Sequence, residues 1–207
     1  MIKDLNRLNR YMTLPVLLDV LKRKRLVLLD PTSWEDKNDA ETLLIYKERK
    51  KIQNLFALCF SYGDETIHHW KTFADGISGY CVQFDSTDLI ALLKTQSGVR
   101  YREVEYKKIN SLSNSTIEVN DIPFTKRWPY RCEEEFRITR GGTSETRHEI
   151  PFDLRIITKV TISQQMPKQV YETIRESLRD AFDHPEKRIN RSTIYRNQMW
   201  INKFKKA

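Results

Sequence analysis

The apolar residues of this chain fall in short groups whose spacing keeps switching between helical and extended. Leu14, Leu17 and Leu21, with Val16 and Val20, recur every three or four residues, whereas Leu26-Val27-Leu28-Leu29 just after them is one continuous run. The first pattern predicts an amphipathic helix over 14–24, with Thr13 as its cap and Pro15 in its first turn. It ends in Lys22-Arg23-Lys24-Arg25, where a helix dipole favours cations. The second predicts a buried strand over 25–29, stopped by Asp30-Pro31. The same reading predicts further helices over about 38–51, 65–74 (capped by Asp64) and 85–93. A long helix opened by Pro167 carries Val170, Ile174, Leu178 and Phe182 on one face, and a short basic helix starts at Asn197. Strands are predicted over about 55–61, 80–84, 99–106, 133–139, 156–162 and 189–195, and the Ser- and Asn-rich stretch 108–121 reads as a mobile surface loop. Several of these strands are too close in sequence for a helical crossover. The expected fold is therefore α+β, with a mixed, largely antiparallel, possibly split sheet flanked by helices.

Nothing in the composition divides the 207 residues. There are only six Gly and seven Pro and no biased linker, so one domain over 1–207 is expected, with a basic aromatic C-terminal segment over 185–207. Cys59, Cys81 and Cys132 are odd in number and far apart, which suits buried thiols in a reducing, cytoplasmic setting. No CxxC pair exists, and His68, His69, His148 and His184 are not at metal-ligand spacing with them, so no metal is expected. Met1-Ile2-Lys3-Asp4 does not open a leader, and the longest apolar runs are far shorter than a bilayer span, so neither export nor membrane insertion is expected. Lys and Arg total 36 against 28 Asp and Glu, a net charge of +8 that favours an anionic partner such as nucleic acid or a phosphate-bearing ligand. Most of that excess is local: residues 185–207 hold seven Lys or Arg and one Glu. There Arg191, Arg196, Lys203, Lys205 and Lys206 interleave with Tyr195, Trp200 and Phe204, the mixture of cations and π-faces that single-stranded nucleic acid uses. The competing reading docks those aromatics into the core and leaves the lysines solvated.

The familiar catalytic signatures are absent: no GxxxxGK[ST] loop, no GxGxxG after a strand, no HExxH and no GxSxG. What remains are dense polar and aromatic clusters at the ends of predicted elements. Asn9-Arg10-Tyr11 precedes the first helix, where an Arg fork can grip a phosphate or ribose or can simply be solvated. In Ser33-Trp34-Glu35-Asp36-Lys37-Asn38-Asp39, Trp34 offers a stacking face, Asn38 or Asp39 a ligand contact, and capping explains Asp39 without any ligand. Cys59-Phe60-Ser61 is followed by His68-His69-Trp70 and Phe73. Adjacent histidines on a helix make a poor metal pair, and Trp70 with Phe73 reads equally as core. In Trp128-Pro129-Tyr130-Arg131-Cys132-Glu133-Glu134-Glu135-Phe136-Arg137, strand alternation places Glu133, Glu135 and Arg137 on one face. That is either a salt-bridged surface or a carboxylate aligned on a positive centre.

Taken in order, Arg10-Tyr11, Trp34 with Asn38-Asp39, Cys59-Phe60-Ser61, His69-Trp70 to Phe73-Ala74, Gly79 to Phe84 and Trp128 to Arg137 resemble the bacterial family known as domain of unknown function 2971, over about residues 8–195. Ala40 and His69 stand where that family has Pro and Met. The order of parts also looks like that of ADP-ribosyltransferases. That resemblance implies an ADP-ribosyltransferase-like fold, NAD as substrate, and a late-strand Glu assisting the departure of nicotinamide. Carried onto this chain, it makes Glu135 the catalytic carboxylate and Glu133 the residue that positions an acceptor. Arg10, Tyr11, Asn38, Ser61 and Trp70 become the NAD contacts, although Ser61 fills a middle position that neither a His-Tyr-Glu nor an Arg-Ser-Glu set aligns. The activity implied is ADP-ribosyl transfer or NAD hydrolysis, in a toxin or antiviral-defence effector acting on nucleic acid or protein. The competing classes are a non-catalytic or nucleolytic nucleic-acid-binding module and an interaction protein of a defence or toxin operon.

Overall fold

The computed structural model describes residues 6–112, 116–142, 147–182 and 188–205. In chain order its strands and α-helices are β1 (Arg7–Thr13), α1 (Leu14–Arg23), β2 (Arg25–Leu28), α2 (Lys37–Lys50), β3 (Leu55–Ser61), α3 (Ile67–Phe73), β4 (Gly79–Asp85), α4 (Ser86–Lys94), β5 (Val99–Glu103), β6 (Glu105–Lys107), β7 (Thr125–Arg127), β8 (Glu135–Gly141), β9 (His148–Pro151), β10 (Ile157–Ile162), α5 (Lys168–Ala181), β11 (Arg188–Arg191) and α6 (Gln198–Phe204). The architecture is α+β, with mixed, mostly antiparallel strand pairing and flanking helices. The chain forms two compact units, each assembled from three stretches. One holds Met1–Leu8, Arg25–Gly63 and Ser86–Phe152; the other holds Asn9–Lys24, Asp64–Asp85 and Asp153–Ala207.

In the first unit β8 lies between β3 and β5, antiparallel to both. The register pairs Ser61 with Glu135, Cys59 with Arg137 and Phe60 with Phe136. Since side chains alternate along a strand, Leu58, Phe60, Phe136 and Ile138 form a buried apolar face, and Cys59, Ser61, Glu135 and Arg137 share the other. Each large apolar side chain so buried contributes roughly 1.5–3 kcal/mol. Beside these strands β2 pairs antiparallel with β9, and β6 pairs parallel with β7. Helix α2 is capped by Asp36, whose carboxylate accepts from the Asn38 and Asp39 amides. It buries Leu43 and Tyr46 against Leu55 and Ile122.

In the second unit β10 pairs antiparallel with β4, Ile162 opposite Tyr80, and parallel with β11. Helix α1 buries Leu17, Val20 and Leu21 and ends at Lys24, whose left-handed backbone (φ 50°) returns its amide to the Val20 carbonyl. Tyr11, Trp70, Ala74 and Cys81 form a small core of their own, with Ile194 against it.

Several expected elements differ. Helix α3 is capped by Thr66, which accepts from the His69 amide, rather than by Asp64. In α5 only Leu178 is buried and Val170 is exposed, so the apolar face begins a turn or two later than its spacing implied. The strand expected over 99–106 breaks at Val104, whose amide donates to the Glu135 carbonyl (2.8 Å). The expected loop 108–121 carries 3-10 turns at Ile109–Leu112 and Val119–Phe124. The strand expected from 133 begins at Glu135, because Glu133 closes a 3-10 helix, Trp128–Glu133. Gly141-Gly142-Thr143-Ser144, whose composition reads as a turn, lies partly outside the described residues.

Candidate active site

The polar face of the first unit carries a buried ionic cluster. Arg137, fully buried, fills both edges of its guanidinium. One edge holds Asp39, with Nη1 to Oδ1 at 2.9 Å and Nη2 to Oδ2 at 2.6 Å. The other holds Glu135, with Nε to Oε1 at 2.5 Å and Nη2 to Oε2 at 3.0 Å. A further bond from Nη1 reaches the Pro123 carbonyl (3.0 Å), and the Trp34 ring lies 5.2 Å from the guanidinium carbon. Planar, two-edged gripping of carboxylates is available to Arg and not to Lys.

A second cation sits among the same acids. Lys126 Nζ lies 2.6 Å from Glu133, 3.4 Å from both Glu135 and Asp39, and 3.9 Å from Asp36. It comes from β7, and its partners come from the α2 entry, the 3-10 helix and β8. Glu133 and Glu135 are adjacent to it for a local reason. Glu134, between them, takes a left-handed conformation (φ 43°), so the chain reverses and both neighbours turn to Lys126. Glu133 and Glu135 therefore reach one ammonium, though not by the alternation of a single strand. The Glu135 amide is fixed by the Tyr106 hydroxyl (2.9 Å).

The electrostatics of the two acids diverge. Burial pushes the Glu135 carboxyl up, but Arg137 and Lys126 outweigh it and hold the group at about 2. Glu133 goes the other way: burial, with Glu135 and Asp39 nearby, raises it despite Lys126. Burial lowers the Lys126 ammonium, but Glu135, Asp39 and Glu133 more than offset this, so it stays protonated. The Cys59 thiol is pushed up by burial and by Glu135, which makes it a poor nucleophile. Two carboxylates driven apart in this way, one held low by its cations and one raised above the ordinary carboxylate value, are the arrangement on which acid–base division of labour is built.

The remaining expected site residues are placed as follows. Ser61 is buried directly opposite Glu135 in the strand register, with its hydroxyl accepting from the Gly63 amide (3.2 Å). Asn38 is exposed in the first turn of α2. In the other unit Arg10 is half-buried on β1, and Tyr11 stacks on His69 (4.8 Å, 11°) and meets Trp70 edge-on. Trp70 is fully buried, its Nε1 donating to Glu65 (2.7 Å), which also accepts from Ser192. Arg191 donates to the Gln164 and Met166 carbonyls and lies over Tyr171. Arg196, Lys203 and Lys205 are exposed, and Lys206 lies outside the described residues. Trp200 and Phe204 are 67% and 65% exposed, so the core-docked alternative for those aromatics does not hold. Lys126 and Glu65 were not singled out by the sequence, nor was Asp39 as the partner of Arg137. Asp39 is 98 residues from Arg137 and Ser192 is 127 from Glu65, and no local spacing marks Lys126.

Among the described residues no group of three or more His, Cys, Asp or Glu is arranged to hold a metal ion, and no helix is long and apolar enough to cross a membrane. No protein-family model matches the chain, so the likeness to domain of unknown function 2971 rests on the motifs quoted above. No curated protein matches it either. Among solved structures, Thermus sp. 2.9 DarT in complex with NAD+ is similar at 8% identity and a TM-score of 0.47, covering 95% of this chain and 100% of that one. The same protein in complex with ADP-ribosylated ssDNA is similar at 8% identity and a TM-score of 0.48 (95% and 99% covered). Its complex with carba-NAD+ gives 7% and 0.46 (94% and 99%). At that identity and TM-score the likeness carries no statement about this chain's ligands.

Proposed function

We propose that this chain cleaves the bond between nicotinamide and ribose in NAD and passes ADP-ribose to an acceptor or to water, with Glu135 and Glu133 as the working carboxylates. The observation that carries the reading is their opposed electrostatics around one lysine. As the C1′–N bond breaks, its electron pair leaves with neutral nicotinamide and positive charge develops on the ribose. A fixed anion in a water-poor setting stabilises that charge without reorganising, and Glu135 is such an anion. As the acceptor oxygen bonds to C1′, its proton must go somewhere. Glu133, with the raised pKa, takes it. Ser61, facing Glu135 across the strand pair, is the neighbouring hydroxyl of this site.

The pH dependence of turnover tests the division of roles. Glu133 accepts a proton only when ionised, so turnover falls as pH drops through its pKa, with a midpoint above the ordinary 4.5. Glu133→Gln is expected to slow turnover and erase that acid limb. An identical limb in the variant assigns it elsewhere.

A second reading, a nucleic-acid-binding module, is favoured by the exposed faces of Trp200 and Phe204 on α6. Their rings are 5.2 Å apart beside Lys203, and Lys205 and Arg196 are close by in the chain. Counterion release makes such binding fall steeply with salt. A filter-binding series at two salt concentrations checks it, and retention that does not change with salt speaks against it.

A further inference from the structure

We infer that Trp128 and the cations around it form a second docking surface, in the first unit, for single-stranded nucleic acid. The parallel pairing of β6 with β7 sets Lys107 directly opposite Arg127, an arrangement that costs stability unless something negative lies nearby. The next residues add to it. Lys108 Nζ lies 5.2 Å and the Arg131 guanidinium 4.9 Å from the centre of the Trp128 ring. Of these four cations only Lys107 has a carboxylate partner among the described residues, Glu105 at 3.3 Å, and that acid is itself largely exposed. The indole is 40% exposed.

The platform is also held still. Pro129 stands in the first turn of the 3-10 helix, Arg131 donates to the Trp128 carbonyl (3.4 Å), and the Glu134 amide closes the helix on the Arg131 carbonyl. A π-face presented without further ordering suits an unpaired base. Exposed cation–π contacts are weaker than base–aromatic stacking, so a base displaces a flexible cation from the ring and leaves it for the phosphate. Four cations exceed what one phosphate needs, and paired bases offer no free face. The chemistry that matches is a strand with unstacked bases and successive phosphates. This surface is separate in sequence from α6, and the Trp128-to-Arg137 cluster was read from sequence for its carboxylates rather than for the Trp128 ring.

Fluorescence anisotropy of the full chain with a short fluorescein-labelled oligodeoxythymidine strand tests it without NAD, so the outcome is independent of the transferase reading. Trp128→Ala is expected to weaken binding about tenfold or more. Lys108→Gln with Arg127→Gln should lower the slope of log affinity against log salt by about 1.4. If the Trp128 variant fails to fold by circular dichroism, the double variant decides alone. The proposal is overturned by an absence of binding, by full-strength binding in the folded variants, by equal binding of a duplex, or by displacement of the strand by ADP at comparable concentration.

Discussion

Asp39 on one edge and Glu135 on the other leave the Arg137 guanidinium no open side, and that geometry sets what its replacement does. Arg137→Met leaves two buried carboxylates with Lys126 alone, and a loss on the order of 3–5 kcal/mol is expected in urea unfolding. Arg137→Lys keeps the charge without the fork and should fall in between. The pH dependence has a definite sign. Glu135 is depressed from 4.5 to about 2, so it contributes stability above its unfolded value that is lost as pH falls from about 4.5 towards 2. The gap corresponds to roughly 3 kcal/mol. Glu133 is raised, so its contribution is fully present below 4.5 and is lost as pH rises through its folded value. Urea midpoints measured between pH 2 and 5 should therefore fall on acidification, and Glu135→Gln should flatten that fall. At this scale the sequence showed half the cluster. Period-two spacing marks Glu135 and Arg137 as sharing a face, but Asp39 lies 98 residues from Arg137 and Lys126 has no spacing signature.

Elements with strong apolar periodicity were legible almost to the residue, as with α1 and β3, because burial alone defines them. Short elements without it were not: β7 is Thr-Lys-Arg and β9 is His-Glu-Ile-Pro, and both exist because a partner strand pairs with them. The left-handed turn at Glu134 was hidden for a related reason, since an acidic triplet reads as strand alternation unless the backbone reversal is known. The entry to β4 offers a test at this scale. A Cβ on Gly79 would stand 2.2 Å from the Ala74 carbonyl oxygen, a backbone atom that yields only if the end of α3 shifts. Gly79→Ala should cost about 1–3 kcal/mol, read as a lower thermal midpoint. A neutral result would mean that the turn after α3 relaxes freely.

For the chain as a whole, mixed pairing and short connections made α+β legible, whereas its assembly from interleaved stretches was not, because no linker or composition shift marks the crossings. The net charge of +8 was visible at once, but which cations stand free of carboxylates was not. Affinity for oligodeoxythymidine should decline with salt, and Lys203→Gln with Lys205→Gln should reduce that slope by about 1.4 if α6 touches phosphates. An unchanged slope would leave α6 without that role.

The release of nicotinamide from NAD by the purified chain, with Glu135→Gln assayed beside it and both confirmed as folded by thermal melting, bears on the central claim most directly. The parent is expected to release nicotinamide, and the variant to do so about a hundredfold more slowly or worse, since one preorganised charge is removed while side-chain shape is kept. A silent parent, or a variant as fast as the parent, would contradict the assignment of Glu135 to the glycosidic bond.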